Sequence, residues 1–324
     1  MPTVAPLDLD GHCVAAVFLN DVPFFAMADG SVHRLDHGHK TCHANDGLLC
    51  AARDPAADRL VTGGEDGKVF AVTADGEATE LASAGRKWIS TIAAGPQGAV
   101  AYGSGRSAYV RFGDGKVKEF VHPRSVEGVA FAPKGMRIGV ARYNGATLHF
   151  PAADSRPVEL EWAGAHTGIT FSPDGNFLVT SMQENALHGW KLADGKHMRM
   201  SGYPAKVKSM SWSAKGRWLA SSGAPAAIVW PFQAKDGPMG KAPLELGTRG
   251  NTMVTCVACH PGEDVAAIGY EDGMVIAARF ADAKEVLLRR PGKGAITAMA
   301  WDANGRRVAF GSAEGDCGIV DLAG

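Results

Sequence analysis

The sequence lacks several features that particular functional classes require. Its 324 residues carry a formal net charge of −1, so no global field favours nucleic acid or an acidic membrane surface. No apolar run is long enough to span a membrane, and the N-terminal residues have no basic leader of the kind that begins a signal peptide. We therefore expect no nucleic-acid partner, no membrane association and a cytoplasmic location.

Cysteine is also scarce, and the catalytic motifs that can be recognised in a sequence are missing. Six cysteines in a chain of this length do not indicate a disulfide framework. No Gly-x-Ser-x-Gly elbow, Walker loop, His-Glu-x-x-His pair or dinucleotide fingerprint occurs. We therefore predict that the protein is not an enzyme. A catalytic site dispersed over several repeats is the third functional hypothesis, because no local motif would reveal it.

The sequence is rich in glycine, with 41 residues that recur at regular intervals beside Asp, Glu or Asn. These glycines lie mainly in the turns of a repeated unit. The unit consists of an apolar strand, a turn such as SPDG or PKG, a second strand that ends in small residues, a tight turn, a third strand and a more polar fourth strand. A four-stranded unit repeated every ~40 residues is typical of a β-propeller blade. We count eight copies, which begin near positions 13, 48, 91, 128, 168, 209, 256 and 298.

The repeats predict an all-β fold, a single β-propeller domain over residues 1–324 built from four-stranded antiparallel blades. Eight blades is the favoured count and seven the alternative, because the first copy matches weakly. The last copy ends one strand short, whereas a spare stretch, residues 3–9 (TVAPLDL), precedes the first. We expect this stretch to complete the last blade and close the ring, which removes two exposed sheet edges.

The repeat spacing and the segments FSPDGNFLVTS, GGEDGKV and HGWKL resemble the WD40-repeat family, in a degenerate and bacterial form, over essentially the whole chain. The family's Gly-His dipeptide and turn aspartate are matched at Gly11-His12, Ala165-His166, Asp29, Asp66 and Asp272. The resemblance implies that these residues make structural hydrogen bonds within a blade. It implies no catalytic residues, and it favours a scaffold that presents a rigid face to a partner.

Cys256-x-x-Cys259-His260 has the spacing by which c-type haem is attached. It lies in the predicted first strand of the seventh copy, where the aligned positions hold small or apolar residues that cysteine can replace. Side chains alternate along a strand, so an offset of three directs Cys256 and Cys259 to opposite faces. Two thioether bonds to one haem could not form from there, and we predict that no haem is bound.

A histidine-rich segment, residues 33–47, offers a different kind of site, since imidazole and thiolate are the usual ligands of zinc and copper. On the predicted outer strand of the first copy, His37, His39 and His43 share one face and Cys42 lies on the other. A complete tetrahedral site would need a bent strand. A metal-binding or metal-handling protein that uses these four residues is therefore the alternative function, and a solvated polar strand is the simpler interpretation.

The favoured site is electrostatic. In propellers of this family the fourth-to-first and second-to-third strand turns lie on one face, which is often a binding face. In the third and fourth copies these turns carry cations and aromatic residues without an acid: Arg86, Lys87, Trp88, Arg106, Arg124, Arg142 and Tyr143. Charge-assisted hydrogen bonds and stacking would bind an acidic peptide or a phosphate group there. We therefore predict a non-catalytic scaffold that binds an acidic segment of a partner protein; a solvated rim is the structural alternative.

Overall fold

The structure is a computed structural model that describes residues 3–36 and 38–322. These residues form thirty β-strands and one short 3-10 helix, Pro96–Gly98. Among them no helix is long and apolar enough to cross a membrane. The prediction of an all-β fold is confirmed.

The strands follow the predicted repeat along the chain. In the first half they are β1 (Thr3–Asp8), β2 (Cys13–Leu19), β3 (Val22–Met27), β4 (Ser31–Leu35), β5 (His39–His43), β6 (Leu48–Asp54), β7 (Arg59–Gly64), β8 (Lys68–Thr73), β9 (Ala78–Ser83), β10 (Thr91–Ala94), β11 (Val100–Ser104), β12 (Ser107–Arg111), β13 (Val117–Val121), β14 (Val126–Phe131) and β15 (Ile138–His149). In the second half they are β16 (Val158–Phe171), β17 (Phe177–Met182), β18 (Ala186–Lys191), β19 (His197–Met200), β20 (Met210–Trp212), β21 (Trp218–Ser221), β22 (Ala227–Pro231), β23 (Leu244–Leu246), β24 (Val254–Cys259), β25 (Val265–Tyr270), β26 (Val275–Arg279), β27 (Glu285–Arg289), β28 (Ile296–Trp301), β29 (Arg307–Ser312) and β30 (Asp316–Asp321).

The strands assemble into seven sheets, six with four strands and one with six. Counted as sheets, the prediction of eight blades is therefore wrong and the alternative of seven stands, while the four-stranded blade is confirmed in six sheets. The fourth and fifth copies share the six-stranded sheet, β14 to β19. They do so because β16, with 14 residues, contains the last strand of one copy and the first strand of the next without interruption.

The chain divides into two compact units. The first comprises Met1–Met27, Asn185–Leu187 and Met198–Gly324, and the second comprises Ala28–Glu184 and His188–His197. The description of one domain over residues 1–324 stays a prediction.

Strand β1 completes the last sheet, as predicted. It pairs antiparallel with β30, from Thr3 opposite Asp321 to Asp8 opposite Asp316. Strand β30 also pairs with β29, so β1 takes the outer position in the order β28-β29-β30-β1. The N-terminal strand thereby covers an edge of β30 that would otherwise be open to pairing with another chain.

The recurrent turn aspartates have the structural role that the family resemblance implies. Asp29, Asp66 and Asp272 each accept a hydrogen bond from the backbone N–H two residues later, at 2.9, 3.1 and 3.0 Å. Gly67, which follows Asp66, has a φ of 74° that disfavours a side chain, and a Cβ there would overlap the carbonyl oxygen of Gly85. These turn aspartates therefore need no catalytic explanation.

Of the two Gly-His-like dipeptides, only Ala165-His166 supplies a buried histidine. The His166 side chain is 0% exposed, and its Nδ1 lies 2.7 Å from Thr180 Oγ1. Its ring also contacts Trp190, with 5.6 Å between the ring centroids. His12 is exposed, and the residue after it, Cys13, is buried. The structural hydrogen bond that the resemblance implies at Gly11-His12 stays a prediction.

The sixth copy builds an equivalent set from different residues. Trp230 Nε1 donates to Tyr203 Oη at 2.6 Å, and the same oxygen lies 2.6 Å from Ser221 Oγ. Tyrosine here takes the place that histidine has in the fifth copy. Degenerate repeats therefore keep a hydrogen bond between a buried ring and a strand hydroxyl even where the family residue is absent.

Candidate partner-binding surface

The seven residues predicted for the partner site all lie in the second unit, in connections between strands or at a break in one strand. They occupy four places: the β9–β10 loop (Arg86, Lys87, Trp88), the β11–β12 turn (Arg106), the β13–β14 loop (Arg124) and the middle of β15 (Arg142, Tyr143). Antiparallel strands reverse direction at each connection, so alternate connections lie at the same end of a sheet.

Hydrogen bonds connect these loops to one another. The Ser104 hydroxyl at the end of β11 donates to the carbonyl of Lys87 at 3.3 Å. The backbone N–H of His122, next to the β13–β14 loop, donates to the carbonyl of Arg106 at 2.8 Å. The structure thus places the three connections side by side. We use the name basic–aromatic surface for the residues Arg86, Lys87, Trp88, Arg106, Arg124 and Tyr143.

The side chains of this surface are open to solvent. Trp88 is 59% exposed and Tyr143 50% exposed, and Val121 beside them is 72% exposed. Arg86, Lys87, Arg106 and Arg124 are exposed, and within residues 3–36 and 38–322 none of the four lies in an ion pair. Lys87 lies near enough to the carboxylate of Glu119 to lower the pKa of that group. Exposed aromatic rings among cations are the residue types enriched where proteins bind partners, so this surface is a candidate binding region.

Arg142 differs from the other predicted cations because an acid neutralises it. Its side chain is 11% exposed and forms an ion pair with Glu159 on β16. Its Nε donates to Thr147 Oγ1 at 2.9 Å, and one of its terminal nitrogens donates to the carbonyl of Tyr143 at 3.0 Å. The loops themselves hold no acid, as the sequence analysis states, and the counter-charge comes from a strand outside them. Arg142 holds the Tyr143 backbone in place and is not free to bind a partner's anion.

The carboxylate of Glu159 is stabilised in its charged form. Burial would raise its pKa, but hydrogen bonds from Arg142 and Thr147 outweigh that effect and hold the pKa below its usual value. The Thr147 hydroxyl donates to Glu159 at 2.8 Å. Glu159 stands 17 residues from Arg142 on another strand, and no local pattern in the sequence links the two.

A cavity of about 590 Å³ opens at one side of the basic–aromatic surface. Arg124, Arg142 and Tyr143 line it, and the end of the fourth copy adds Glu161 and Trp162. A volume of this size is in the range of sites that hold a small molecule or a short peptide segment. The sequence predicted three of these five residues and missed the two that belong to β16.

Trp162 is held rigidly in the wall of this cavity. Its ring stacks on His188, with 4.1 Å between the centroids and 17° between the planes, and the tilted ring of His197 lies 4.6 Å away. Its carbonyl accepts a hydrogen bond from His166 Nε2 at 3.0 Å. No sequence pattern indicates this role for Trp162, because tryptophan in a propeller strand usually packs in the core.

The turn at Asn144 shapes the mouth of the cavity. Asn144 has a φ of 64° and Gly145 a φ of 128°, and a Cβ at Gly145 would overlap the carbonyl oxygen of Leu160. The Asn144 side chain accepts a hydrogen bond from the backbone N–H of Gly164 at 3.2 Å. An Asn-Gly pair is the preferred sequence for such a tight turn, which presents Tyr143 to solvent.

Two buried histidines lie beside the cavity. His122 Nε2 is 3.2 Å from His149 Nε2, and the side chains are 4% and 9% exposed. Burial lowers the pKa of both, and nearby positive charge, from Arg142 on His122, lowers them further; the pKa of His149 falls to about 4. Both rings are therefore neutral at pH 7, and they provide an uncharged support beneath a charged surface.

The predicted metal ligands do not converge on one point. His39 Nε2 lies 2.8 Å from His33 Nδ1, across the β4–β5 pair. His43 Nε2 instead lies 3.4 Å from the carboxylate of Asp46. His39 and His43 therefore share a strand face, as predicted, but each is engaged with a different neighbour.

Cys42 lies on the opposite face of β5, where it is paired with Val32. Burial raises the pKa of its thiol, which disfavours the thiolate that would bind a metal. His37 lies outside the described residues. In the part of the chain that the structure describes, no three His, Cys, Asp or Glu side chains are grouped to hold a metal ion. Binding of zinc or copper stays a prediction.

The haem-like motif lies on β24 and in the turn that follows it. Cys256 and Cys259 pack in separate core clusters, and burial raises the pKa of their thiols to about 11 and about 12. His260 Nε2 donates to the carbonyl of Gly305 at 3.1 Å, and its Nδ1 accepts from the N–H of Glu263 at 2.9 Å. The Nδ1 atom thus stabilises the turn after β24, and Nε2 connects that turn to the β28–β29 turn of the next copy. The absence of haem stays a prediction.

Part of the chain matches a known family. Residues 254–323 match the family model of the anaphase-promoting complex subunit 4 WD40 domain. Telomerase protein component 1 of Rattus norvegicus is 23% identical over 190 residues, which are 56% of this chain and 7% of that protein. SEC12-like protein 2 of Arabidopsis thaliana is 24% identical over 174 residues, which are 50% of this chain and 42% of that protein. The chain thus spans less than half the length of these relatives.

The fold is shared with solved structures over nearly the whole chain. The computationally designed Ika8 protein superposes with a TM-score of 0.80 over 97% of both chains, at 16% identity. A chain of the mitotic checkpoint complex superposes with a TM-score of 0.69 over 84% of this chain and 86% of that one, at 13% identity. In its repeated four-stranded sheets, its turn aspartates and the family match over residues 254–323, the chain is similar to the WD40-repeat-like β-propeller proteins, and these findings support its assignment to that family.

Proposed function

We propose that this protein is a non-catalytic interaction scaffold and that its basic–aromatic surface binds an acidic segment of a partner protein. One observation carries the proposal: in the part of the chain that the structure describes, four exposed cations without an ion pair lie with Trp88 in three connections that are hydrogen-bonded to one another. The second exposed aromatic ring, Tyr143, lies at the break in β15. The cations of this surface would bind the carboxylates of the acidic segment. The aromatic rings would contact the apolar residues that lie between those carboxylates.

The chemistry of the surface fits an extended acidic segment. Guanidinium groups bind carboxylates through two parallel hydrogen bonds, and Arg86, Arg106 and Arg124 present three of them. Trp88 and Tyr143 are the residue types that most often provide binding energy at interfaces. Because backbone hydrogen bonds already fix the loops, binding orders little of the protein, and less affinity is lost to conformational entropy.

The relatives favour the same functional class. A subunit of the anaphase-promoting complex, a telomerase protein component and a chain of the mitotic checkpoint complex are each named as parts of larger assemblies. This chain spans only a small fraction of the telomerase component, so that protein's own activity is not transferred here. What we transfer is the role of a propeller as a platform in an assembly.

The proposal is tested with defined peptides. Fluorescence anisotropy compares a labelled peptide rich in Glu and Asp with its Gln and Asn counterpart, at low and at moderate salt. We expect the acidic peptide to bind and the Gln and Asn counterpart not to bind. Salt should weaken the binding of the acidic peptide because exposed charges are screened beyond about 10 Å. The triple variant Arg86→Glu, Lys87→Glu, Arg124→Glu should weaken binding at least tenfold, a change of about 1.4 kcal/mol.

A matched variant controls for net charge. Lys134, Arg156 and Lys215 are exposed cations in other loops, and their replacement by Glu changes the net charge of the protein by the same amount. This variant should bind the acidic peptide within about twofold of wild type. Equal losses in the two triple variants would mean that the peptide senses only the total charge, and the proposed site would be wrong.

A further inference from the structure

Two cysteines from opposite ends of the chain meet in the core of the first unit. Cys13 begins β2 and Cys317 lies in β30, and both side chains are 0% exposed. The carbonyl of Cys13 accepts a hydrogen bond from the Thr297 hydroxyl at 2.6 Å, which fixes the start of β2 against β28. The packing of the first copy against the last copy therefore brings Cys13 and Cys317 together.

The two sulfur atoms share one space above Gly311. A Cβ at that position would overlap Cys13 Sγ and would lie 3.2 Å from Cys317 Sγ, so only glycine leaves room for both. Both sulfurs therefore lie within 3.2 Å of one point beside Gly311, so the two side chains are neighbours in the core. The Cys13 thiol donates a hydrogen bond to the carbonyl of Ala15 at 3.4 Å. All six cysteines of the chain are free thiols in this structure.

We propose that Cys13 and Cys317 form an oxidation site, at which a hydroperoxide converts the two thiols into a disulfide that joins β2 to β30. The site is separate from the basic–aromatic surface, which lies in the other unit. It does not depend on the proposed scaffold function.

The environments of the six thiols support this choice of pair. Interaction with the Cys13 side chain lowers the pKa of Cys317, against the opposing effect of burial, whereas interaction with Cys317 and burial both raise the pKa of Cys13. In the other four thiols burial raises the pKa without an opposing cysteine: Cys42, Cys50, Cys256 and Cys259. Because the thiolate is the nucleophile, Cys317 is the sulfur that reacts first with an oxidant.

The reaction balances with hydrogen peroxide as the oxidant. The Cys317 thiolate attacks one peroxide oxygen, an S–O bond forms, the O–O bond breaks, and hydroxide leaves and takes up the proton that Cys317 lost. The sulfur of Cys13 then attacks the Cys317 sulfenic acid, an S–S bond forms, the S–O bond breaks, and water leaves with the proton of Cys13. The two thiols lose two electrons in total, and one peroxide is reduced to two waters.

The disulfide would constrain the unfolded chain over almost its full length. A crosslink that closes a long loop removes conformational entropy from the unfolded state, and the effect grows with loop length. We expect a rise of roughly 5 °C or more in the midpoint of thermal unfolding. Because both side chains are buried, the oxidant must be small and must enter through brief local opening, so the reaction should be slower than oxidation of an exposed thiol.

The experiment treats the folded full-length protein with hydrogen peroxide, blocks the remaining thiols with N-ethylmaleimide in denaturant, and maps the peptides without reduction. We expect one crosslinked peptide pair that contains Cys13 and Cys317, four blocked cysteines, and reversal by dithiothreitol. The thermal midpoint should rise with the crosslink in wild type. In Cys256→Ser, which keeps the pair and removes a neighbouring thiol, the same crosslink and the same rise should appear.

Three results would overturn the proposal. One is a folded protein that keeps all six thiols under peroxide, and another is a crosslink between any other pair. The third is a Cys13–Cys317 crosslink that forms only in urea, which would show that the native packing does not permit the bond. These readouts use wild type and Cys256→Ser, so they stand even if Cys13→Ser or Cys317→Ser fails to fold.

Discussion

Arg142 and Glu159 form an ion pair at the break in β15, and this pair determines how Tyr143 is presented. The Arg142 side chain is only 11% exposed, and it donates to the Glu159 carboxylate, to the Thr147 hydroxyl and to the carbonyl of Tyr143. The positive charge of Arg142 is therefore neutralised within the protein by Glu159. Arg142 therefore acts on the binding surface as a positioning residue, through the turn that it holds.

Replacing Glu159 should destabilise the protein and loosen the turn. Glu159→Gln leaves the largely buried Arg142 guanidinium without a counter-charge, and hydrogen bonds to charged groups contribute about 1.5–3 kcal/mol each. We expect the free energy of unfolding to fall by roughly 2 kcal/mol, measured by urea denaturation. Affinity for the acidic peptide should also fall, because Tyr143 loses its fixed position.

Arg124→Ala is the matched control for this prediction. Arg124 lines the same cavity but is exposed and makes no ion pair in the described part of the chain. Its removal should change the unfolding free energy by less than about 0.5 kcal/mol, as is usual for surface substitutions, while it weakens peptide binding. Equal stability losses in Glu159→Gln and Arg124→Ala would contradict the structural role assigned to the Arg142–Glu159 pair.

The exposed aromatic residues should contribute to binding and not to stability. Trp88 and Tyr143 are 59% and 50% exposed, so Trp88→Ala and Tyr143→Ala remove few buried contacts. Each substitution should raise the dissociation constant of the acidic peptide about tenfold, which is a loss of about 1.4 kcal/mol of binding free energy, since aromatic residues dominate interface energetics. Val117→Ala is a control of similar exposure at the start of β13, and it should leave the dissociation constant unchanged in the same anisotropy titration.

The fold was predictable from the sequence where repetition carried the information. The spacing of glycine and aspartate in the turns identified the strands, and the spare strand at the N-terminus predicted the pairing of β1 with β30. The count of sheets was not predictable, because the union of the fourth and fifth copies depends on β16 staying extended past the expected loop. Nothing in the sequence around Ala163 and Gly164 marks that continuity.

The candidate site was predictable only in its local part. Loop position sufficed to select Arg86, Lys87, Arg106 and Arg124 as exposed cations. It did not suffice for Arg142, whose counter-ion Glu159 comes from the next strand. A side chain's partner across a sheet depends on register, and a bulge or a tight turn shifts that register by an amount that a sequence pattern does not give.

The two buried histidines beside the cavity predict how stability depends on pH. His149 has a pKa of about 4 in the folded protein, against 6.5 for an ordinary histidine. Between these values the unfolded chain binds more protons than the folded one. The free energy of unfolding is therefore undiminished above pH 6.5 and falls as pH drops toward 4, by roughly 1–3 kcal/mol from this residue.

This dependence is measured by urea denaturation at several pH values between 4 and 7. In His149→Gln the slope of unfolding free energy against pH should be shallower than in wild type, because one titrating group is gone. His43→Gln is the control, since His43 is exposed beside Asp46. Identical slopes in wild type and His149→Gln would show that His149 is not held neutral by the fold.

The contrast between His166 and His12 gives the sharpest test of the repeat geometry, because the sequence treats the two residues alike. His166 is buried, its Nδ1 lies 2.7 Å from Thr180 Oγ1, and its Nε2 donates to the carbonyl of Trp162 at 3.0 Å. His166→Ala would leave a cavity, remove one of the two partners of the Thr180 hydroxyl, which also donates to the carbonyl of His188 at 3.1 Å, and remove the donor to the Trp162 carbonyl. We expect a cost of roughly 2–4 kcal/mol. It should also loosen Trp162 and so reduce affinity for the acidic peptide.

His12→Ala should change stability by less than about 0.5 kcal/mol, since the side chain is exposed. Differential scanning calorimetry and the peptide titration on both variants measure the two effects side by side. A large loss in His12→Ala would mean that the first copy has the buried histidine of the family after all. A small loss in His166→Ala would mean that the His166–Thr180 contact does not hold the wall of the cavity, and the rigidity assigned to Trp162 would have to come from its stacking on His188 alone.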